Sequence, residues 1–393
     1  MHNYSTTNII KNNLLYIVGV LFLLFISSLR FAYKFAPLPL LSLLVFFICL
    51  YFVLHAVTRE TATTSILKKI LQSGFLPYLF IIVFLMVTVF LYPLIDARKT
   101  MGLGSTGDDA IIQPALKFLS TGKLYDAKLY DGVPISPGPG WILLNSLFPI
   151  LNIYWLFAPL YIFASLFICK KFYKSNFVIN LTLVLISSSF LFWELLANGH
   201  DLVPLGFAFV ILTFLIHRFF VEDNSHLTYK IVISILAGLI STSRIVFIAL
   251  PFLFLLFIWK FNKKNALLFG LISICTNILV QLYFYLVNDF YQPLHLFARG
   301  NNNVGPALII TGIILTIILL IYSYRKIDRN IESWLLYIFS CLALPLIMIA
   351  FGELIHIDFS FRLWEGVNNL MPVIPGLCFY ISLKINNRYP ASL

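Results

Sequence analysis

The chain has 393 residues, of which 60% are hydrophobic and 11% are charged, whereas soluble domains carry roughly 25% charged residues. This composition excludes an ordinary soluble domain and predicts an integral membrane protein with several spans. The formal net charge of +11 does not indicate nucleic acid as a partner, because the basic residues lie in short loops between apolar segments.

Long apolar segments bounded by charge, proline or glycine predict about twelve membrane spans. Backbone polar groups in lipid have to be satisfied within the segment, so each span is predicted to be a helix. The predicted fold class is therefore all-α, a polytopic transmembrane helical bundle that forms a single integral membrane domain over residues 1–393. The spans cover residues 13–29, 37–57, 75–95, 153–169, 177–197, 201–220, 231–243, 245–259, 265–287, 304–323, 333–351 and 367–384.

Two apolar segments do not fit a single crossing. Residues 230–259 predict two short helices with Arg244 at the turn, because one tilted helix would place Arg244 near mid-bilayer at a cost of at least ~2.5–3.5 kcal/mol. Residues 140–151 are too short to cross, and we expect them to dip into the outer leaflet and return.

The distribution of lysine and arginine predicts the orientation of the chain. One side of the predicted spans holds 17 of the 27 basic residues but only 5 of the 16 acidic residues. By the positive-inside rule this side is cytoplasmic, which places both termini in the cytoplasm. We therefore expect an integral protein of the cell membrane, meaning the inner or plasma membrane, with its polar chemistry in outer loops.

The largest predicted outer loop, residues 96–139, carries an aspartate pair before a short helix. Apolar residues recur at helical spacing over 111–119, which predicts an amphipathic helix in the plane of the membrane interface. Asp108 and Asp109 can cap this helix, and Thr106 and Asp109 have capping-box spacing. The same pair can provide a catalytic base and its partner, or hold a divalent cation beside a substrate phosphate. Both interpretations stay open at this point.

The run GLGSTG at residues 102–107 has the spacing of a dinucleotide-binding fingerprint. That fingerprint requires a preceding strand and a βαβ unit, whereas a predicted membrane helix precedes this run. We interpret the glycines as a flexible approach to the next helix.

The run ISPGPGW at residues 135–141 combines two prolines and two glycines just before the chain returns to the membrane. Such residues stiffen and turn the chain. Trp141 is predicted to belong to the aromatic belt at the membrane interface.

Cationic and imidazole side chains in separate outer loops are the candidate ligands of an anionic substrate. An arginine fork matches phosphate oxygens. Since no two histidines have metal-ligand spacing on one helix, a zinc site is not predicted, and the cofactor stays unknown apart from a divalent cation at the aspartate pair. The substrate-binding candidates are Arg244, Arg362, Arg299, His356 and His200. His295 is a further histidine in a predicted outer loop.

Four segments together resemble the GT-C superfamily of membrane glycosyltransferases. They are GDDAIIQPALKFLSTGKLYD (107–126), SPGPGWILLNSLF (136–148), AGLISTSRIVFIALPFLFLL (237–256) and NNLMPVIPGL (368–377). The resemblance implies a polyprenyl-phosphate-linked sugar as donor, an inverting displacement, and an acid in the first large outer loop, which corresponds to Asp108. The chain departs from the family pattern because this loop follows the third helix instead of the first, and because the second acid is Asp109 where some relatives carry Glu.

The predicted function is transfer of a sugar from a polyprenyl-phosphate donor to a glycan, lipid or protein acceptor on the outer face. Asp108 is the predicted base and Asp109 its partner. A polymerase of surface-polysaccharide repeat units is the alternative within enzymes. A lipid or small-molecule transporter or flippase is the alternative of another class, and it is disfavoured because the predicted spans show no internal repeat and no charge at mid-span.

Overall fold

The computed structural model describes residues 3–57, 62–98, 106–222 and 226–388. Within these ranges the regular structure is entirely helical and contains no strand, which confirms the predicted all-α fold class. Short 3₁₀ or π segments extend or join several helices. The α-helices are α1 (Asn3–Phe35), α2 (Pro39–Val57), α3 (Ala62–Gln72), α4 (Leu76–Met86), α5 (Tyr92–Asp96), α6 (Asp109–Thr121), α7 (Pro139–Asn145), α8 (Leu147–Ile150), α9 (Phe157–Tyr173), α10 (Asn176–Ser187), α11 (Phe190–Ala197), α12 (Leu202–Ile216), α13 (Leu227–Ser241), α14 (Leu250–Trp259), α15 (Lys263–Val287), α16 (His295–Asn303), α17 (Pro306–Lys326), α18 (Ile331–His356) and α19 (Ile374–Arg388).

Eight helical segments in the described ranges are long and apolar enough to cross a bilayer, and the bent pair α10 and α11 is a ninth candidate. The protein is therefore an integral membrane protein. The predicted spans 231–243, 245–259 and 367–384 overlap the shorter helices α13, α14 and α19. The count of twelve spans stays a prediction. The eight segments are Tyr16–Phe35, Pro39–Val57, Leu76–Asp96, Tyr154–Tyr173, Leu202–Val221, Lys263–Val287, Pro306–Lys326 and Ile331–His356.

The helices differ strongly in how much of their surface other helices cover. In the span that contains α12, 78% of the residues are buried, and α12 packs against α9, α13 and α19. In the span formed by α17, 11% are buried, and α17 packs mainly on α18. α12 is therefore central in the bundle and α17 is peripheral, with most of its surface facing the surrounding lipid.

The predicted division of residues 230–259 into two helices is present. α13 ends at Ser241, and the chain turns before a 3₁₀ segment, Ile245–Ala249, leads into α14. Arg244 has an extended backbone with φ −145° and ψ 153°, so it lies in the turn and not inside a helix. Pro251 stands in the first turn of α14, where its missing N–H has no helical partner to lose.

Serine side chains fix the 80° bend between α10 and α11. The Ser189 hydroxyl precedes α11 and accepts a hydrogen bond from Phe192 N at 3.4 Å, as serine commonly does at a helix N-terminus. The Ser28 hydroxyl of α1 accepts a hydrogen bond from Phe190 N at 3.1 Å. The bend therefore holds the start of α11 against α1.

Polar loops collect at two ends of the bundle. At the first, here named the chamber end, contacts join residues 106–138, 198–201, 242–244, 288–303 and 353–369. At the second, the opposite end, contacts join residues 170–176, 217–222, 260–264, 324–332 and 384–387. Loops that were predicted to share a side of the membrane thus lie together, and the orientation of the two ends relative to the cytoplasm stays a prediction.

Candidate functional site

A cavity of about 1050 Å³ opens at the chamber end and continues between helices. Its walls form two regions of different polarity. The first region, here named the polar chamber, is lined by the charged, imidazole and amide side chains of Arg30, His200, Arg244, Arg299, Asn303, Glu353, Glu365, Asn368 and Asn369. The second region, here named the groove, is lined mostly by apolar side chains of α14, α17 and α18, namely Phe252, Leu253, Leu256, Ile309, Ile313, Thr316, Ile317, Leu320, Leu342, Leu346 and Ile349.

The groove follows one stripe of α17. Ile309, Ile313, Thr316 and Leu320 line it and are spaced three or four residues apart, so they share a helix face. At 1.5 Å per residue this stripe is about 17 Å long, roughly half the thickness of a bilayer core. Phe252 of α14 and Ile313 of α17, which both line the groove, are 49% and 54% exposed. The groove is thus apolar and open to lipid along its side.

The polar chamber brings together loops that are distant in the sequence. Residues 106–110 and 129–136 line it from the largest predicted outer loop, and His200 lines it from the NGHD loop. Arg299 contributes from α16, and residues 365–369 contribute from the segment before α19. Because these segments share one cavity, residues predicted in separate outer loops can act on one ligand.

A buried glutamine fixes the loop that forms the outer wall of the chamber. The Gln292 amide donates a hydrogen bond to Ala127 O at 3.0 Å, and its carbonyl accepts one from Ile135 N at 2.5 Å. Asn288 Oδ1 accepts a hydrogen bond from Tyr125 N at 3.0 Å. These contacts attach residues 122–137 to the segment between α15 and α16.

Asp201 is the buried carboxylate behind the wall formed by His200 and Arg244. The Arg244 guanidinium donates a hydrogen bond to Asp201 Oδ1 at 2.7 Å, and Trp141 Nε1 donates one to Asp201 Oδ2 at 3.1 Å. His200 Nδ1 lies 3.1 Å from Asp201 Oδ1. Burial alone would raise the pKa of the Asp201 carboxyl, but Arg244 and His200 outweigh it and lower this pKa to about 2. Asp201 is therefore ionised at neutral pH and orients Arg244.

Close packing between two of the quoted sequence segments places Trp141 beside Asp201. A Cβ atom at Gly138 would lie 2.0 Å from Thr242 O, so only glycine permits this approach. The Thr242 hydroxyl accepts a hydrogen bond from Trp141 N at 3.1 Å. Trp141 is fully buried, and the prediction that it belongs to an interfacial aromatic belt is wrong, because its indole N–H is needed inside the bundle by Asp201.

Asp108 and Asp109 are both buried at the start of α6. Asp108 does not cap the helix with its side chain. Its Oδ2 instead accepts a hydrogen bond from the Tyr92 hydroxyl at 2.9 Å. The Asp109 carboxylate accepts a hydrogen bond from Gln113 Nε2, one helical turn later, at 3.3 Å. The capping interpretation is therefore wrong for the Asp108 side chain, which has a tertiary partner on α5.

The aspartate pair adjoins the polar chamber. Gly107 and Ala110, on either side of the pair, line the cavity. A Cβ atom at Gly107 would lie 2.5 Å from the His200 ring, so the backbone before Asp108 packs directly on that imidazole. Asp108 is thus next to the chamber wall and behind it. The other glycines of GLGSTG lie outside the described residues.

Arg30 and Glu194 are charged residues of the chamber end that the predicted spans did not single out. Arg30 lies in α1, lines the polar chamber, and donates a hydrogen bond to Asn368 Oδ1 at 2.8 Å. Glu194 of α11 contacts Lys34 Nζ at 2.7 Å and Arg30 Nη2 at 3.7 Å. Both Arg30 and Glu194 lie within candidate spans, near their ends. The outer loops therefore do not hold all of the polar chemistry at this end of the bundle.

The candidate arginines and histidines of the sequence divide into two groups. His200, Arg244 and Arg299 line the cavity, and Arg299 lies 3.7 Å from Glu365. Arg362 and His356 are exposed and do not line the cavity. The structure therefore brings three of these five side chains together.

His295 lies beside the outer wall of the polar chamber. Its Nδ1 is 2.7 Å from Gln292 O, and its Nε2 is 3.5 Å from the Ser136 hydroxyl. Burial lowers the pKa of His295 below its ordinary value. The ring is therefore neutral at neutral pH and supports the wall without adding charge.

No group of three or more His, Cys, Asp or Glu side chains within the described ranges is placed to hold a metal ion. A divalent cation at Asp108 and Asp109 stays a prediction. Comparisons of the chain with protein-family models, with curated proteins and with solved structures gave no match.

Proposed function

We propose that the protein is a membrane glycosyltransferase that moves a sugar from a polyprenyl-phosphate donor to a glycan, lipid or protein acceptor. The single observation that carries this proposal is the continuity of the groove with the polar chamber in one cavity. A ligand with a long apolar tail and an anionic head matches that change of polarity. The tail would lie along α17, and the phosphate and sugar would lie in the chamber.

The reaction assigned to the chamber is a single inverting displacement. The acceptor hydroxyl oxygen attacks the anomeric carbon, the bond from that carbon to the phosphate oxygen breaks, and polyprenyl phosphate leaves with the electron pair. A carboxylate accepts the hydroxyl proton, a role worth about 10²–10⁴-fold in rate. Asp108 is the proposed base, because it is a buried carboxylate directly behind the chamber wall, where its neighbours Gly107 and Ala110 line the cavity. Asp109 is its proposed partner.

The proposed orientation places the chamber end outside the cell. The opposite end carries the basic loops that the positive-inside rule assigns to the cytoplasm, together with the predicted position of both termini. The donor would then be used at the outer face of the inner or plasma membrane. A polymerase of surface-polysaccharide repeat units would use the same cavity with a larger acceptor and is the alternative within enzymes.

One observation favours a transporter or flippase as the second candidate. Broken helices that carry charge are common at transporter binding sites, and the bent pair α10 and α11 carries Glu194 beside Arg30. The groove would then guide a lipid between leaflets without chemistry. The two candidates differ in whether a polyprenyl-phosphate sugar is consumed by the purified protein.

The experiment assays the full chain in detergent with a panel of undecaprenyl-phosphate-linked hexoses and with a membrane extract as the source of glycan, lipid and protein acceptors, and release of undecaprenyl phosphate is the readout. Thr316→Trp fills the groove and is expected to lower turnover by at least about tenfold, because an added indole in a packed apolar channel excludes the tail. Leu315→Trp, on the neighbouring lipid-facing position outside the groove lining, is the matched control and should retain turnover. Equal turnover of the two variants, or no release from any donor, would contradict the proposal.

A further inference from the structure

Arg30 is a cation held inside a membrane-spanning helix with its guanidinium at the wall of the polar chamber. Its side chain is 13% exposed, and it lines the cavity together with Asn368. Ionisable residues in membrane spans are expensive to bury, and they commonly mark binding sites and ion or substrate pathways. Arg30 lies just beyond the predicted first span, which ends at residue 29, and the helix in the structure continues past it to Phe35.

The carboxylate nearest to Arg30 is largely committed to another cation. Lys34 Nζ contacts Glu194 Oε1 at 2.7 Å, whereas Arg30 Nη2 is 3.7 Å from the same oxygen. Arg30 Nε is buried and forms no hydrogen bond. The positive charge of Arg30 is therefore only partly compensated by protein groups.

The other two arginines of the polar chamber are in different situations. Arg244 is 2.7 Å from Asp201, which is fully buried, so its charge is compensated by a dedicated carboxylate. Arg299 is 45% exposed, and its partner Glu365 is 63% exposed, so water screens both charges. Arg30 alone among the three combines burial with incomplete compensation, which is the situation that favours an anionic ligand.

We propose that Arg30 and Asn368 form the phosphate-binding site of the polar chamber. Asn368 Oδ1 accepts the hydrogen bond from Arg30, which orients the guanidinium and leaves the amide N–H₂ group of Asn368 as a further donor at the cavity wall. Phosphate oxygens accept charge-assisted hydrogen bonds of this kind. The choice of a lipid phosphate as the ligand rests on the proposed function, whereas the anion site itself rests on these contacts.

The ion pairs around Arg30 predict effects of opposite sign. Arg30→Gln removes the charge and should weaken binding of undecaprenyl phosphate roughly ten- to a hundredfold, the usual range for a lost hydrogen bond to a charged group. Glu194→Gln removes the carboxylate that lies 3.7 Å from Arg30 and should strengthen binding several-fold. Lys34→Gln does not touch the cavity, but it leaves Glu194 to Arg30 alone and should weaken binding.

The test measures binding of three probes to the purified full chain without sugar or acceptor: undecaprenyl phosphate, undecaprenol and inorganic phosphate. The alcohol should bind Arg30→Gln and wild type equally, because only the anion contacts Arg30. Competition by inorganic phosphate that is lost in Arg30→Gln would show that the site recognises the phosphate itself. Arg98→Gln, an exposed arginine outside the cavity lining, is the matched control and should bind all three probes as wild type does.

Two results would overturn the proposal: equal affinity of wild type and Arg30→Gln for undecaprenyl phosphate, or weaker binding in Glu194→Gln. A misfolded variant cannot bind more tightly than wild type. The expected gain of affinity in Glu194→Gln therefore excludes misfolding as the cause of the effect. Binding through Arg30 without any sugar release would retain this site and reject the glycosyltransferase. Sugar release that is insensitive to Arg30→Gln would reject this phosphate site and retain the glycosyltransferase.

Discussion

The two ends of the bundle use cationic side chains in different ways. At the opposite end, Lys260 donates hydrogen bonds to the main-chain oxygens of Tyr324, Arg325 and Ile327 at 2.7 to 2.9 Å, where α17 ends. At the chamber end, Arg244 is bound to the carboxylate of Asp201 instead. The first contact satisfies carbonyl groups that every helix leaves without partners at its end, whereas the second holds a charge at the wall of a cavity.

The difference shows which charges serve the fold and which serve a ligand. A lysine that binds helix-end carbonyl groups acts locally and is exposed to water. Its substitution therefore changes the free energy of unfolding only slightly. A buried arginine on a buried carboxylate is costly to separate, and its gain in stability over an apolar pair is small or absent. Such a pair beside a cavity is therefore better explained by the fixed position that it gives the guanidinium at the cavity wall than by a gain in stability.

Neutralising Asp108 should lower sugar transfer more than any other substitution. If it did not, the assignment of function to the chamber end would be wrong. Asp108→Asn keeps the size of the side chain and a group that can accept from Tyr92, but it cannot take a proton from the acceptor hydroxyl. We expect normal insertion and loss of sugar transfer by about 10²–10⁴-fold. The measurement is undecaprenyl phosphate release by purified protein.

Asp289→Asn is the matched control for Asp108→Asn, because Asp289 belongs to the same end of the bundle and its side chain is 88% exposed. This variant should turn over donor as wild type does. Near wild-type turnover of Asp108→Asn would reject Asp108 as the base and make Asp109→Asn the next variant.

Removing the charge of Asp201 should have the next largest effect, which is a loss of folding stability. Asp201→Asn leaves Arg244 buried without a carboxylate, which typically costs about 3–5 kcal/mol. The double variant Asp201→Asn/Arg244→Met should be more stable than Asp201→Asn, because it removes both charges. Thermal unfolding in detergent measures both values, and a double variant less stable than the single one would show that Arg244 is held by other groups.

Most of the fold could be predicted from the sequence because lipid leaves few solutions for an apolar segment. Each predicted span overlaps helical structure, and the predicted turn at Arg244 is present, but the predicted span 177–197 is two helices with an 80° bend between them. The bend before Phe190 could not be predicted, since it depends on the hydroxyl of Ser28 from a helix that is distant in the sequence. The helices α13 and α19 have 15 residues each and α14 has 10, and helices this short leave the number of crossings open.

The candidate site was predicted less completely, because its residues are selected by tertiary contacts. His200, Arg244 and Arg299 were found from charge in outer loops, and the same reasoning selected Arg362, which is exposed outside the cavity. Asp201 was missed although it follows His200 in the NGHD run. A signal was present there, since an aspartate directly before a long apolar helix needs a partner when it is buried.

Acid should expose the contribution of Asp201 with a smaller effect than its substitution. The folded-state pKa of about 2 lies below the ordinary value of 3.8, so ionised Asp201 stabilises the fold above about pH 4 by about 2 kcal/mol. This contribution is lost as the pH falls from 4 toward 2. Thermal unfolding of wild type should lose stability in that window, and Asp201→Asn should lack this component. Identical acid profiles of the two proteins would contradict the ionised pair.

The smallest effect is expected at the opposite end, where Lys260→Gln should lower the free energy of unfolding by no more than about 1 kcal/mol. The amide can replace part of the hydrogen bonding to the end of α17, and water can reach the remaining carbonyl groups because Lys260 is exposed. Lys264→Gln, on an exposed neighbouring lysine, is the control and should be silent. Undecaprenyl phosphate should bind both variants as tightly as it binds wild type, because neither lysine lines the cavity. A loss of lipid-phosphate binding in Lys260→Gln would mean that the two ends are coupled, and the assignment of ligand binding to the chamber end alone would be wrong.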